Sequence, residues 1–231
     1  MKITATHFEK TDMKPEESEK DIEQRAAEVV RLMNLRYPHP ETLLQAENAW
    51  ELLVATVLAA QCTDARVNLV TPVLFRQWPD IASLAKAKQE DVEAVVRSTG
   101  FYRNKAKHLI AAAEKIMTVY GGKVPETMEE LTSLPGVARK TANIVLWGAF
   151  GRNDGMAVDT HVKRIVFRLG LTKHKDPERV EKDLMRLFPR ESWGDMNHRL
   201  VWFGRDICDA RNPLCDQCEM ASFCPKVGVR Q

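Results

Sequence analysis

The sequence predicts an all-α protein built from many short helices. Apolar residues recur at helical spacing through most of the chain, and no stretch shows the sustained alternation of a half-buried strand. Proline and glycine residues divide the helical segments at short intervals. Hydrophobic residues make up 44% and charged residues 29% of the 231 positions, which is enough apolar material for a core that needs no disulfides.

The predicted helices follow one another with short connections. The first begins at about Asp21, because apolar residues recur at helical spacing up to Met33, and Tyr37-Pro38-His39-Pro40 ends it. The second, from about Ala49 to Ala60, is apolar on nearly all sides and is therefore expected to be buried. Further helices are expected near residues 65–77, 80–86, 89–98, 103–119, 126–132, 138–149, 160–169, 177–187 and 193–206.

The N-terminal residues, the longest uncharged run and the distribution of charge indicate which class of protein to expect. Residues 1–20 are polar and predict a mobile extension that is not a secretory signal. The longest uncharged run, Leu52 to Thr63, has 12 residues, which is too short to span a membrane. We therefore expect a cytosolic location, or a nuclear one. Residues 97–123 hold six basic residues and one acidic residue, a pattern that fits either a phosphate-facing surface or a solvated helix face.

Four of the five cysteines lie in one short segment. Their spacing is Cys208-x6-Cys215-x2-Cys218-x5-Cys224. Four thiolates suit zinc or an iron–sulfur cluster. The segment has only one C-x2-C pair and one compact loop, which favours a [4Fe–4S] cluster, with zinc and unligated cysteines as alternatives. Cys62 is predicted to be a small buried side chain in an apolar helix.

A turn followed by a lysine joins two helical patterns near residue 136. Pro135 and Gly136 predict a tight turn, and the free amides of residues 136–140 can bind a phosphate at the helix start. Lys140 lies in the first turn of the following helix. The helix dipole and the apolar neighbours Val137 and Ile144 favour a neutral, nucleophilic amine. The alternatives are an ordinary helix corner and a solvent-facing lysine.

Asp159 is the third candidate site. It precedes a helical pattern, so the simplest interpretation is an N-cap. It also offers a carboxylate that could activate Lys140 or stabilise positive charge on a sugar, and the two roles are compatible.

Together, these motifs resemble the endonuclease III family of helix–hairpin–helix DNA glycosylases. The resemblance covers residues 22–226 and rests on five segments: Leu134-Pro135-Gly136-Val137-x-Arg139-Lys140-Thr141-Ala142, Val158-Asp159-Thr160-His161, the four-cysteine loop, Ala60-Gln61-x-Thr63-Asp64, and Gly100-Phe101-Tyr102-x-x-Lys105-Ala106. It implies two helical domains with double-stranded DNA in the cleft between them. Residues 42–152 would form a six-helix domain with the helix–hairpin–helix at about 126–149. Residues 21–41 and 153–231 would form the domain that carries the [4Fe–4S] cluster.

The resemblance also implies a bifunctional DNA glycosylase and AP lyase that acts on oxidised pyrimidines or abasic sites. Because the sequence shows no heptads and no large apolar stripe, we expect a monomer. Lys140 would attack C1′ of a flipped nucleotide, displace the base and form a Schiff base, and β-elimination would cut the strand 3′ to the site. Asp159 would assist the lysine or stabilise the developing charge. The cluster ligands would be Cys208, Cys215, Cys218 and Cys224.

Several residues are implied to contact DNA. Gln61 would fill the space left by the flipped base, and Phe101 would wedge between bases. Gly136, Ala138 and Arg139 would face the backbone of the DNA. Further phosphate candidates are Lys105, Lys107 and Arg211. The chain departs from the family pattern at Ala138, where a second hairpin glycine is common, and at Phe101, where a smaller aliphatic wedge is expected.

Two other functions are compatible with parts of this pattern. A monofunctional mismatch glycosylase would share the hairpin and the aspartate, but such enzymes replace the lysine that is present here as Lys140. A non-catalytic DNA-binding iron–sulfur protein would have no reason to keep both Lys140 and Asp159.

Overall fold

The structure, a computed structural model, describes residues 17–229. All regular secondary structure in this range is helical. No strand occurs in this range, so the all-α prediction is confirmed. The helices are α1 (Glu19–Arg36), α2 (Ala49–Leu58), α3 (Asp64–Gln77), α4 (Ile81–Ala85), α5 (Gln89–Val96), α6 (Tyr102–Val119), α7 (Met128–Thr132), α8 (Arg139–Phe150), α9 (Thr160–Arg168), α10 (Pro177–Leu187) and α11 (Trp193–Asp206). Short 3-10 turns cover Arg97–Thr99, Arg190–Ser192 and Cys215–Gln217.

Helix α1 begins two residues before its predicted start. Ser18 and Asp21 form a capping box, in which each side chain accepts a hydrogen bond from the backbone N–H of the other residue at 3.2 Å. Residues 19 and 20 therefore belong to the helix and not to the predicted mobile extension, of which residues 1–16 lie outside the described range.

The apolar side chains of the described residues form two separate cores. One is built by residues between Leu44 and Leu146, from α2 to α8. The other combines residues 26–37 of the first helix segment with residues 156–220. Two such cores are what the predicted domains would produce, and the exact domain boundaries stay a prediction.

The number of helices in the first domain differs from that implied by the resemblance. Between residues 42 and 152, all of which are described, there are seven α-helices and not six. One of them, α4, has only five residues, and a capping box between Asp80 and Ser83 fixes its start. Pro72 lies inside α3 at an exposed position, within the helix predicted for residues 65–77.

Helix α8 links the two cores and positions the cleft between them. At its N-terminal end, Arg139 forms an ion pair with Glu181 of α10, with 2.6 Å between Nε and Oε2. Towards its C-terminal end, the Trp147 ring lies 4.9 Å from the His198 ring of α11. A Cβ atom at Gly194 would overlap the Trp147 indole, so only glycine allows this approach of α8 and α11. In the described part of the chain, no helix combines the length and the apolar character that crossing a membrane requires.

Candidate active site and cysteine loop

The hairpin between α7 and α8 depends on glycine at position 136. Gly136 has a φ of 79°, in the left-handed region that favours glycine. A Cβ atom there would also lie 2.7 Å from Cβ of His108 on α6. Both the backbone conformation and the packing therefore exclude a side chain, as the predicted tight turn requires.

The N-terminus of α8 carries no side-chain cap. Its N-cap residue is Ala138, which is exposed and has extended backbone angles, with φ −89° and ψ 167°. These angles are ordinary for any residue, so the alanine that replaces the expected glycine puts no strain on the backbone. The amides of the first turn of α8 lack intrahelical partners, and they lie where an anion could accept hydrogen bonds from them.

Lys140 is the second residue of α8, and its side chain is exposed. It lines two adjoining cavities between the two cores. The wider cavity has a volume of about 590 Å³ and opens to solvent. An amine at this position is accessible to a group that enters the cleft from the solvent.

Asp159 lines the same two cavities and begins α9. Its Oδ1 accepts a hydrogen bond from the Val162 backbone N–H at 2.8 Å, so the N-cap prediction is confirmed. The second carboxylate oxygen is not used by this cap. Lys140 and Asp159 are thus brought to one cleft from different helices and from different cores.

Gln61 and Phe101 also lie at exposed positions with unusual backbone angles. Gln61 lines the wider cavity and has a φ of 55°, and Phe101 has a φ of 48° and is 63% exposed. Such angles are uncommon for residues other than glycine. A large aromatic side chain held outside the core is not a packing residue. This excludes ordinary core packing for Phe101, and its role as a wedge stays a prediction.

The phosphate candidates differ in their accessibility. Lys107 and Arg211 are exposed. The Arg139 guanidinium, by contrast, is held by Glu181, a partner that the sequence did not predict. The interpretation of Lys105 as a phosphate contact is wrong. Its side chain is 5% exposed, and Nζ donates hydrogen bonds to the carbonyl oxygens of Leu58 and Thr99, so the ammonium lies inside the protein.

His198 is a cleft residue that sequence reasoning missed. It is only 9% exposed and lines the smaller cavity together with Lys140 and Asp159. Burial lowers the pKa of His198 to about 4, because the nearby carboxylates of Asp195 and Asp159 offset the desolvation only in part. The imidazole is therefore neutral at neutral pH. A histidine inside a helix gives no sequence signal for this position.

The buried imidazole predicts a pH dependence of stability. The unfolded chain takes up a proton at His198 below a pKa of about 6.5, whereas the folded chain does so only near 4. The contribution of the neutral His198 to the free energy of unfolding is therefore complete above pH 6.5, and it is lost as the pH falls towards 4. From pH 7 to pH 5 this amounts to about 2 kcal/mol of unfolding free energy. Denaturant unfolding at pH 7 and pH 5 measures the loss of unfolding free energy between them. This loss should be smaller by about 2 kcal/mol in His198→Gln than in the wild type. The exposed His39→Gln variant should keep the wild-type loss, and equal losses in all three proteins would contradict the assignment.

The four clustered cysteines line one cavity beside α9 and α11. Cys62 is not among them; it is half-buried, follows the end of α2 and lines the cleft, so its predicted place within a buried helix is wrong. Within residues 17–229, no three histidine, cysteine or carboxylate side chains converge closely enough to hold a single metal ion. The four thiols around one cavity nevertheless supply the donor type that both a zinc ion and an iron–sulfur cluster require.

Arginines of α9 fix the cysteine loop to the helix that Asp159 begins. Arg168 donates hydrogen bonds to the backbone oxygens of Asp209, at 2.6 Å, and Ala210, at 2.8 Å, and to the Cys208 sulfur at 3.3 Å. Arg164 donates to the Cys208 oxygen at 3.0 Å. These cations oppose the negative charge that four thiolates would bring. Burial raises the pKa of the Cys218 and Cys224 thiols, so a bound metal group must displace their protons.

Comparison with known proteins agrees with this arrangement. The model of the HhH-GPD superfamily base excision DNA repair proteins matches residues 54–190, and that of the iron–sulfur binding domain of endonuclease III matches residues 208–224. The chain is 50% identical over 202 residues to endonuclease III of Synechocystis sp., covering 87% of this chain and 92% of the relative. The chain belongs to the endonuclease III family. Its cofactor is accordingly a [4Fe–4S] cluster, which the cysteine cavity fits.

Solved endonuclease III structures share the fold. A non-covalent endonuclease III–DNA complex superposes with a TM-score of 0.84 at 40% identity and covers 88% of this chain and 95% of that protein. A trapped endonuclease III–DNA covalent intermediate gives the same TM-score and identity and covers 96% of that protein. The two-domain helical endonuclease III fold is therefore confirmed for the described residues.

Substitution of a clustered cysteine should remove the colour of the protein. We expect Cys208→Ser, Cys215→Ser, Cys218→Ser and Cys224→Ser each to lose the brown absorption and most of the iron, because each removes one thiolate from the loop. Cys62→Ser, which lies outside the loop, should stay brown. Visible spectra and metal analysis of the purified proteins measure both. A colourless wild-type protein with one bound zinc would contradict the cluster.

Proposed function

We propose that the chain is a bifunctional DNA glycosylase and AP lyase that removes oxidised pyrimidines from double-stranded DNA in base excision repair. This proposal rests on one observation: Lys140 and Asp159 line the same cleft in a member of the endonuclease III family. A monofunctional glycosylase needs no amine at this position. A trapped covalent DNA intermediate is known for an endonuclease III, and Lys140 is the group through which this chain would form one.

Lys140 acts as the nucleophile. A base is accessible to chemistry of this kind only after its nucleotide has left the duplex. Nζ of Lys140 then attacks C1′ of the deoxyribose, the bond between C1′ and the base breaks, and the base leaves with a proton. Opening of the sugar ring yields a Schiff base between C1′ and Nζ. This imine makes the C2′ proton acidic, its removal expels the 3′ phosphate, and water finally releases Lys140.

Asp159 supplies negative charge beside the reacting centre. Its Oδ1 is occupied by the N-cap hydrogen bond, which holds the carboxylate in a fixed orientation. The carboxylate accepts a proton from the lysine ammonium or stabilises the positive charge that develops on the sugar as the base departs. Because the cleft lies between protein walls, this charge is screened less than it would be in open solvent.

The hairpin and the exposed loop residues bind the duplex. The uncapped N–H groups of the hairpin and of the start of α8, including those of Gly136, Ala138 and Arg139, donate hydrogen bonds to a phosphate. This contact fixes the position of the DNA without reading its sequence. Gln61 fills the gap left by the flipped nucleotide. Phe101 enters the base stack beside it, as the exposed apolar wedges of DNA-kinking proteins do.

The ligands of the cluster are Cys208, Cys215, Cys218 and Cys224. These four thiolates would hold the cluster, and its binding would tie together the loop that carries them. Arg168 and Arg164 connect this loop to α9, whose N-cap is Asp159. The cluster thereby supports the active site by fixing one helix.

We propose that the enzyme acts as a monomer and that it is located with the DNA of the cell, in the nucleoid or the nucleus.

Borohydride trapping tests the proposal. Wild-type protein is mixed with a duplex that carries one oxidised pyrimidine, and a parallel sample carries one abasic site. A covalent adduct on both duplexes is the expected result, because both pass through the same Schiff base. Base release without an adduct would assign a monofunctional glycosylase. Failure on both duplexes, with binding retained, would assign a non-catalytic DNA-binding protein.

A further inference from the structure

Lys105 is buried at the point where the two exposed insertion residues, Gln61 and Phe101, join the protein body. Its Nζ donates hydrogen bonds to the Leu58 oxygen at 2.8 Å and to the Thr99 oxygen at 2.7 Å. Leu58 is the last residue of α2, three positions before Gln61, and Thr99 ends a 3-10 turn two positions before Phe101. One ammonium group therefore joins the two segments that carry the insertion residues.

The backbone adds a third connection. The Lys105 N–H donates to the Phe101 oxygen at 3.1 Å, in the first turn of α6. Gln61 and Phe101 both have positive φ angles, which side-chain-bearing residues adopt only when their surroundings enforce them. The contacts of Lys105 lie at the base of both of these strained segments. They are consequently well placed to hold Gln61 and Phe101 at a fixed separation.

A buried ammonium is an unusual choice for packing alone. The side chain is only 5% exposed, and burial lowers the pKa of Lys105. Its partners among the described residues are carbonyl oxygens at the ends of helical turns, which lack intrahelical donors and carry partial negative charge. An apolar side chain of similar length would fill the same space without the cost of desolvating a charge. What it could not do is join the two carbonyl groups.

We propose that Lys105 is a positioning residue that sets the distance between Gln61 and Phe101, so that both enter the DNA duplex together. This inference rests on the proposed function, because it requires that the two side chains insert into DNA. Lys105 touches neither the substrate nor the reacting atoms. Its effect should therefore depend on the presence of the two side chains that it positions.

A double-mutant cycle on a duplex with one abasic site tests this role. Lys105→Met keeps the length of the side chain and removes its donors. We expect kcat/KM to fall about tenfold or more, mainly through a higher KM, because displaced insertion residues fit the duplex poorly. In a background of Gln61→Ala with Phe101→Ala, the same substitution should cost less than about twofold. Lys88→Met, at an exposed position before α5, serves as the control and should match the wild type.

The outcomes separate the two proposals. Wild-type protein that leaves the abasic duplex uncut contradicts the proposed function itself. An active wild type with an equally active Lys105→Met variant overturns only the positioning role. Equal losses in both backgrounds also overturn it, because they assign Lys105 a general structural role. If Lys105→Met does not fold, as judged by its thermal transition, Lys105→Gln replaces it, and failure of this variant to fold would likewise overturn the proposal.

Discussion

The Lys140→Ala variant should cut no DNA strand and form no borohydride adduct, while it still binds duplex DNA. The amine is the atom that becomes bonded to C1′, so no other group in the cleft can take over its step. We expect a fall of at least about 10³-fold in strand cleavage, as is common when a nucleophile is removed. Gel-based cleavage and trapping assays measure both activities, and a DNA-binding titration measures the affinity.

The position of Lys140 makes this loss specific. Its side chain is exposed and packs into neither core, so truncation should leave the thermal transition almost unchanged. Lys140→Arg provides the matched control, because arginine keeps the positive charge for DNA binding but is never a neutral nucleophile at working pH. It should bind DNA like the wild type and be as inactive in cleavage as Lys140→Ala. Strand cleavage by either variant at the wild-type rate would show that the amine is not the nucleophile.

Features encoded by neighbouring residues were predictable from the sequence. Pro135-Gly136 specifies the turn before α8, and the N-cap role of Asp159 follows from its place before an apolar helical repeat. Lys140 could be assigned to a first helical turn for the same reason. The cysteine spacing favoured an iron–sulfur cluster but left zinc open, and the match of residues 208–224 to the iron–sulfur binding domain of endonuclease III is the finding that decides between them.

Contacts between distant segments could not be predicted. Lys105 looked like a surface cation in a basic stretch, but its partner Leu58 lies 47 residues away. Arg139 donates a hydrogen bond to Glu181, which lies 42 residues away in the sequence and belongs to a helix of the other core. Burial of a charged side chain depends on such packing, whereas sequence patterns report mainly the periodicity of one element. His198 was missed for this reason, because its low pKa arises from the closure of the cleft around it.

The backbone of Gln61 and Phe101 illustrates a further limit. Both residues adopt positive φ angles, which sequence reasoning assigns to glycine by default. Gln61 lies in the connection between α2 and α3, and Phe101 directly precedes α6. A strained conformation in a residue with a side chain is therefore evidence of function that only the structure supplies.

Asp159→Asn should slow base removal and strand cleavage by about 10²- to 10⁴-fold while the protein stays folded. Asparagine retains the oxygen that accepts the Val162 N–H, and it is as good an N-cap as aspartate. What is lost is a negative charge in the cleft that Lys140 also lines. The thermal transition should move little, because loss of one charge near a helix N-terminus costs only about 0.3–1 kcal/mol. Single-turnover kinetics on a lesion duplex measure the chemical step directly.

A second N-cap aspartate offers the matched comparison. Asp80 caps α4 through the Ser83 N–H at 2.7 Å and is exposed. Asp80→Asn removes the same charge from the same type of helix position, so it should retain full activity. Asp159→Ala, which lacks both cap and charge, should combine the kinetic defect with a loss of about 1 kcal/mol of stability. If Asp159→Asn were fully active per folded molecule and only less stable, the carboxylate would serve α9 alone, and the charge needed beside the sugar would have to come from another group in the cleft.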